Sequence, residues 1–117
     1  MTDEAAATEG TRTRDVNQPS TEPTLHIVDN PERRRYEAVL GDQVVGFAEY
    51  RPATGRRIFV HTEVDPAFEG RGYGSRLAAG ALNDIRAKGF KATVYCPFIN
   101  AYLERHREYD DIIVRRR

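Results

Sequence analysis

The segment that most constrains this chain is a run of alternating glycines between two long patterned segments. Residues 66–82 read PAFEGRGYGSRLAAGAL, in which Gly70, Gly72 and Gly74 are spaced two apart. The preceding RRIFVHTEV (56–64) alternates like a half-buried strand, and the residues that follow have helical periodicity. Glycines at such a junction allow positive φ angles and a close approach to the backbone. The pattern predicts either a tight strand–helix turn or a site where backbone amides bind a phosphate.

The other patterned segments form a meander followed by a helix–strand–helix unit. We predict strands over 25–29, 34–40, 44–51 and 56–64, separated by turn residues such as GDQ (41–43) and PATG (52–55). A helix over 75–88 carries one apolar stripe, formed by Leu77, Ala78, Ala81, Leu82 and Ile85. A strand over 91–96, a short helix over 98–106 and an extended piece over 109–114 follow. This order predicts an α+β fold with a mixed, twisted sheet, in which the long helix crosses between two parallel strands.

Alternation along the strand over 56–64 assigns its side chains to two faces. Ile58, Val60, Thr62 and Val64 are expected on one face, and Phe59, His61 and Glu63 on the other. His61 and Glu63 would therefore lie next to each other, close to the glycine turn.

One domain accounts for the patterned residues of this 117-residue chain. Residues 1–24 contain almost no large apolar side chains, which predicts a disordered tail before a domain over 25–114 and a basic end over 115–117. Lys plus Arg and Asp plus Glu both number 18, so the net charge gives no support to a nucleic-acid or anionic-membrane partner. Because Cys96 is the single cysteine and neither a signal peptide nor a long apolar run is visible, we expect a soluble cytoplasmic protein. The His, Cys and Asp spacing predicts no metal site.

The glycine turn differs from two familiar phosphate-binding motifs. A Rossmann fingerprint has G-x-G-x-x-G after the first strand, whereas this chain has G-x-G-x-G after a meander. A P-loop needs Gly-Lys-Ser/Thr, whereas the residues here are Gly74, Ser75 and Arg76. The free amides of a helix N-terminus, the Ser75 hydroxyl and the charges of Arg71 and Arg76 would still make an anion site.

The stretch VDPAFEGRGYGSRL (64–77) resembles the signature of the GNAT superfamily of N-acetyltransferases. In that family a strand ends in Val-x-Pro, and an R/Q-x-x-G-x-G/A turn opens a helix that binds the pyrophosphate of acetyl-CoA. Val64, Pro66, Gly72 and Gly74 match, whereas Glu69 stands where Gln or Arg is usual. More narrowly, HTEVDPAFEGRGYGSRL (61–77) and YCPFINAYLERHREYDDI (95–112) resemble the small branch called minimal acetyltransferases.

The resemblance implies acetyl-CoA as co-substrate and no metal. It also implies that the strands over 56–64 and 91–96 splay apart to admit the pantetheine arm between them, with the Val64 backbone pairing with its amides. The cofactor-binding residues implied in this way are Val64, Gly70, Arg71, Gly72, Tyr73, Gly74, Ser75 and Asn100.

The implied reaction is attack of a primary amine on the thioester, with His61, Glu63 and Cys96 as catalytic candidates. Histidine titrates near neutrality, which suits a general base at His61, and Glu63 could orient it or be the base itself. In the minimal branch a cysteine and a histidine are the proposed catalytic pair, but an acetyl-cysteine at Cys96 requires a thiolate. Covalent and direct transfer therefore both remain open. The acceptor, either a small amine or a peptide amine, and the oligomeric state have no sequence signal.

A second function class is an acyl-CoA-binding regulatory module with little turnover. The short chain and Glu69 in the turn favour it, whereas the candidate residues beside the turn favour the enzyme.

Overall fold

The computed structural model describes residues 24–115. It contains strands β1 (Leu25–Asn30), β2 (Arg35–Leu40), β3 (Gln43–Ala53), β4 (Arg56–Val64) and β5 (Lys91–Val94), with helices α1 (Tyr73–Ala87) and α2 (Pro97–Arg105). Single 3-10 segments span Pro66–Phe68 and Arg107–Ile112. The predicted tail lies outside the described residues except for its last one, and the last two arginines of the predicted basic end also lie outside. No helix within 24–115 is long and apolar enough to cross a membrane.

One five-stranded sheet in the order β1-β2-β3-β4-β5 organises the domain. The first four strands pair antiparallel, and β4 pairs parallel with β5 because α1 connects them as a crossover. Helix α1 packs its apolar stripe against the sheet, and that stripe is fully buried: Leu77, Ala78, Ala81, Leu82, Ile85. Tyr36, Tyr50 and Phe59 are large buried side chains that the sheet contributes to this core. The predicted α+β fold with a mixed sheet is confirmed.

A β-bulge at Val60 changes which side chains β4 presents to each face. Tyr50 pairs with Phe59 and Glu49 pairs with His61, so Val60 is an extra residue in β4. Phe59 is consequently 0% exposed, whereas the side chains of His61 and Glu63 are 54% and 61% exposed. The prediction that these three share one face is wrong, because strict alternation fails at a bulge.

The parallel pair β4–β5 is joined only over its first half. Arg56–Phe59 pair with Lys91–Val94, and the Phe59 carbonyl accepts one further bond from the Tyr95 amide at 2.9 Å. Beyond that point β4 continues to Val64, whereas the chain after β5 turns into α2 at Pro97. β5 thus ends two residues before the predicted boundary, and the pair opens at the end that carries the glycine turn.

The predicted extended piece over 109–114 is mostly helical. A 3-10 segment runs to Ile112, and the strand-like part is a single bridge between Ala92 and Ile113. Tyr109 and Ile112 are both buried, and their spacing of three places them on one side of a 3-10 turn. A helical turn buries both side chains on one side, whereas a strand would turn them to opposite faces. The prediction of an extended segment is therefore wrong for most of these residues.

A polar cluster ties β1 to β4 and α1 at the start of β4, away from the opening. The Asp29 carboxylate accepts hydrogen bonds from Tyr50 at 2.6 Å, Arg57 at 2.8 Å and Lys88 at 3.0 Å. Burial alone would raise the pKa of Asp29, but these three donors together hold it below its usual value. The cluster therefore stabilises the ionised carboxylate in the folded protein.

Candidate active site

The turn between β4 and α1 is shaped by one cap and two glycines. The Asp65 carboxylate accepts a hydrogen bond from the Ala67 amide at 2.9 Å, which holds the 3-10 turn that follows β4. The chain then passes through Gly70 with φ 82° and Gly72 with φ 78°. Both angles lie in the left-handed region, which glycine enters without the steric cost that other residues incur. Gly72 is the N-cap of α1 and therefore sets the direction in which the helix starts.

The first turn of α1 has backbone donors that the helix does not use. Its first intrahelical bond runs from the Arg76 amide to the Gly72 carbonyl at 3.1 Å, so the amides of Tyr73, Gly74 and Ser75 precede it. Gly72 supplies no capping side chain, and the first turn contains no acidic residue. Free amides and the positive end of the helix dipole together favour an anion at this position. The residues present therefore fit a pyrophosphate group.

A cleft of ≈ 470 Å³ opens directly onto these amides. The end of β4 forms one wall, the glycine turn and the first turn of α1 form the base, and Phe98 of α2 forms part of the opposite wall. Six of the predicted cofactor-binding residues line this cleft: Val64, Gly70, Gly72, Tyr73, Gly74 and Ser75.

The two other predicted cofactor-binding residues have different surroundings. The Arg71 guanidinium lies over the ring of Phe68, 5.2 Å from its centroid. The Asn100 side chain donates to the Val94 carbonyl at 3.1 Å and lines a separate cavity of ≈ 620 Å³ between β5, α2 and the C-terminal segment. Arg76 donates to the Leu25 carbonyl at 3.3 Å. The side-chain charges near the turn are thus engaged with protein groups, and the anion site consists of backbone amides.

His61 and Glu63 are brought together on the exposed face of β4. The His61 Nε2 and Glu63 Oε1 atoms are 3.6 Å apart, and the His61 ring lies 6.0 Å from the ring of Phe47. Glu63 also lines the cleft, so this pair stands at its border with solvent. The arrangement can accept a proton from a group that approaches over the exposed face.

Cys96 belongs to the other face of β4. It is 2% exposed, it is the N-cap of α2, and its Sγ atom lies 3.0 Å from the Thr62 hydroxyl. Because Thr62 stands between His61 and Glu63 in the strand, its side chain points away from theirs. The partners of Cys96 and His61 therefore differ, and these two predicted catalytic residues reach opposite faces of β4.

Sequence reasoning missed three residues that line the cleft: Thr62, Phe68 and Phe98. Thr62 had a visible signal, since it is the one hydroxyl among the apolar residues assigned to its face of the strand. Phe98 follows the Cys-Pro pair at the start of α2, and it keeps 41% of its surface exposed although it is aromatic. Within 24–115, no group of three or more His, Cys, Asp or Glu side chains is arranged to hold a metal ion.

The fold and the cleft together define a class of protein. A mixed sheet that opens between two parallel strands, with a helix N-terminus at the opening, leaves space for an extended ligand that carries an anionic group. The model of the GCN5-related N-acetyltransferase family matches residues 35–112, and this chain belongs to that family.

Individual relatives agree with this assignment. Protein NATD1 of Mus musculus and Protein NATD1 of Gallus gallus are each 32% identical to the chain over 85 residues, which cover 68% of this chain and 74% of theirs. The NMR solution structure of a GCN5-like protein from Staphylococcus aureus superimposes with a TM-score of 0.60 at 22% identity. That alignment covers 80% of this chain and 91% of the other, and it shows the common fold.

Proposed function

We propose that the chain is an acetyl-CoA-dependent N-acetyltransferase that transfers an acetyl group to a primary amine of a small molecule or a peptide. The observation that carries this proposal is the set of unused amides at Tyr73, Gly74 and Ser75, which open into the cleft beside β4. Membership of the GCN5-related family supports it.

In this proposal the cleft residues hold the co-substrate without help from a metal. The first-turn amides of α1 receive the pyrophosphate, and the edge of β4 that faces away from β3 offers the Val64 backbone to the pantetheine amides. Phe68, Tyr73 and Phe98 supply apolar contact along the same cleft. The co-substrate brings an activated acetyl group, and the protein supplies position and proton transfer.

The acceptor amine must be neutral when it attacks, and this requirement gives His61 and Glu63 their role. Either side chain can take the proton, because Glu63 lines the cleft and the His61 Nε2 atom lies 3.6 Å from the Glu63 Oε1 atom. Their exposure favours an acceptor that does not need a deep pocket, such as the amine of a peptide or protein.

One observation favours the second candidate, an acyl-CoA-binding module with little turnover. The Glu69 side chain lines the cleft next to the anion site. The family resemblance implies Gln or Arg at this position, so the turn departs here from the pattern of the enzymes.

Calorimetry with acetyl-CoA, followed by thiol release over a panel of polyamines, amino acids and peptides, tests the proposal. We expect saturable binding and turnover with at least one amine, and loss of turnover without loss of binding when His61 and Glu63 are both replaced by alanine. His26→Ala, which alters an exposed histidine on β1, is the matched control. Binding without turnover across the panel would support the module, and absence of binding would exclude both candidates.

A further inference from the structure

Thr62 is a polar cleft residue that has no role in the proposal above. It lies on β4 beyond the last β4–β5 pair, and it lines the cleft together with Val64 and Phe98. The bulge at Val60 and the alternation after it turn its side chain away from His61 and Glu63. Thr62 therefore reaches the part of the cleft that the two base candidates do not face.

The hydroxyl of Thr62 has unused hydrogen-bonding capacity. Among residues 24–115 its side-chain partner is the thiol of Cys96, with Sγ donating to Oγ1 at 3.0 Å. A hydroxyl carries one donor and two acceptor sites, so a bond accepted from Cys96 leaves the Thr62 O–H free to donate. The thiol occupies the protein side of the hydroxyl, and the cleft occupies the other side.

We propose that the Thr62 hydroxyl is a hydrogen-bond donor to the reacting thioester, and that Cys96 is a positioning residue that orients this hydroxyl. The inference rests on the proposed N-acetyltransferase function. It assigns the buried thiol to direct transfer and not to a covalent acetyl-cysteine. A cysteine that donates its proton to a neighbour is a thiol, and the thiol is a poor nucleophile compared with the thiolate.

The transfer step is balanced without a proton leaving Thr62 or Cys96. The lone pair of the amine forms the C–N bond, the C–S bond breaks, and its electron pair leaves with the sulfur. The amine proton passes to His61 or Glu63, and water protonates the sulfur. Thr62 keeps its proton and stabilises the charge that develops on the thioester. A single well-placed donor of this kind typically raises the rate by about 10²–10³-fold.

The two faces of β4 then have separate tasks. Proton acceptors stand on the exposed face, where the amine arrives, and the hydrogen-bond donor stands on the cleft face, where the leaving group lies. The 3.0 Å contact between Cys96 and Thr62 links this donor to the start of α2, which also carries Phe98.

The experiment compares Thr62→Val, which removes the hydroxyl at nearly constant shape, with Thr62→Ser, which keeps it. Calorimetry gives the Kd of acetyl-CoA and of desulfo-CoA, which lacks the sulfur, and steady-state kinetics give kcat with the best amine. Thr62→Val should reduce the preference for acetyl-CoA over desulfo-CoA by about 3–10-fold and kcat by about 10–100-fold. Thr62→Ser, which keeps the hydroxyl, should recover most of the ligand preference and kcat that Thr62→Val loses, and Cys96→Ser, which keeps a donor to Thr62, should recover most of what Cys96→Ala loses.

Thr93→Val is the matched control, because Thr93 is a β5 threonine whose hydroxyl donates to the Val114 carbonyl at 3.1 Å. It should leave the ligand preference unchanged. An unchanged preference in Thr62→Val would overturn the inference, and so would an acetyl group on Cys96 in mass spectra after incubation with acetyl-CoA alone. If wild type binds acetyl-CoA but turns over no amine, the effect of Thr62→Val on the preference for acetyl-CoA over desulfo-CoA alone tests the inference. If wild type does not bind, the proposed function fails together with the inference.

Discussion

Replacing Gly72 by alanine tests the anion site with a perturbation whose cost can be worked out. Gly72 has φ 78°, and a Cβ built on it has no heavy atom within 4 Å. The substitution therefore causes no clash, and its cost to folding is the left-handed conformation alone. That cost is about 1–2 kcal/mol for a residue with a Cβ, which lowers the melting temperature of a domain of this size by about 4–16 °C.

Gly55 provides a matched control for this cost. It has φ 67° in the turn between β3 and β4, and its Cβ also meets nothing within 4 Å. Gly55→Ala should consequently lose a similar amount of stability, although the residue is not among those that line the cleft. Of the two introduced methyl groups, only the one in Gly72→Ala would lie beside the free amides of α1, where it would compete with a bound phosphate for space.

Thermal unfolding and acetyl-CoA calorimetry on both variants give the answer. We expect comparable losses of stability, with at least about a tenfold weaker Kd, equivalent to about 1.4 kcal/mol, in Gly72→Ala only. Equal Kd values for Gly72→Ala and wild type, in a folded protein, would refute the assignment of the amides to the pyrophosphate. Weaker binding in both variants would show that the loss is global.

Three further predictions concern other parts of the domain. Asp29→Asn should lower the free energy of unfolding at neutral pH. Because the pKa of Asp29 is lower in the folded state, this difference should shrink in urea titrations as the pH falls below about 4. Gly74→Ala places a methyl group 2.6 Å from Cζ of Phe98, so it should destabilise the protein, and Phe98→Ala should relieve most of this loss in the double variant. His61→Ala and Cys96→Ala should have additive effects on kcat, because residues on opposite faces of β4 do not form one catalytic pair.

Most of the fold could be predicted because its elements have strong local signals. The apolar residues of α1 repeat at the helical spacing of three and four residues, whereas those of the meander strands alternate with polar residues. Glycine or proline occupies the turns between the strands. The bulge at Val60 had no such signal. A bulge depends on the register between β3 and β4, which is set by packing across the sheet and not by the residues of one strand. The segment over 109–114 is mostly helical because Tyr109 and Ile112 both pack into the core, and its own residues do not specify that contact.

The position of the backbone part of the candidate site could be predicted from the sequence, whereas the contacts of its side chains could not. Gly70, Gly72 and the first residues of α1 line the cleft, because glycines mark positions where amides are accessible, and their binding of a cofactor stays a prediction. The surroundings of Arg71 and Asn100 depend on distant partners, the ring of Phe68 and the carbonyl of Val94. A single sequence contains no information on such contacts, and the pairing of Thr62 with Cys96 across 34 residues was invisible in the same way.

The bulge at Val60 is the feature that connects the core of the domain to its chemistry. Without an extra residue in β4, a strand that buries Phe59 would also turn His61 and Glu63 toward the core, where their charged forms would be costly. With it, Phe59 packs in the core, Thr62 faces the cleft, and His61 and Glu63 remain in solvent. The proposed division of β4 into a donor face and a proton-accepting face thus rests on the backbone register. The β3 neighbours of His61 and Glu63 are Glu49 and Phe47, so in the proposed enzyme we expect these two side chains to influence which amine is accepted.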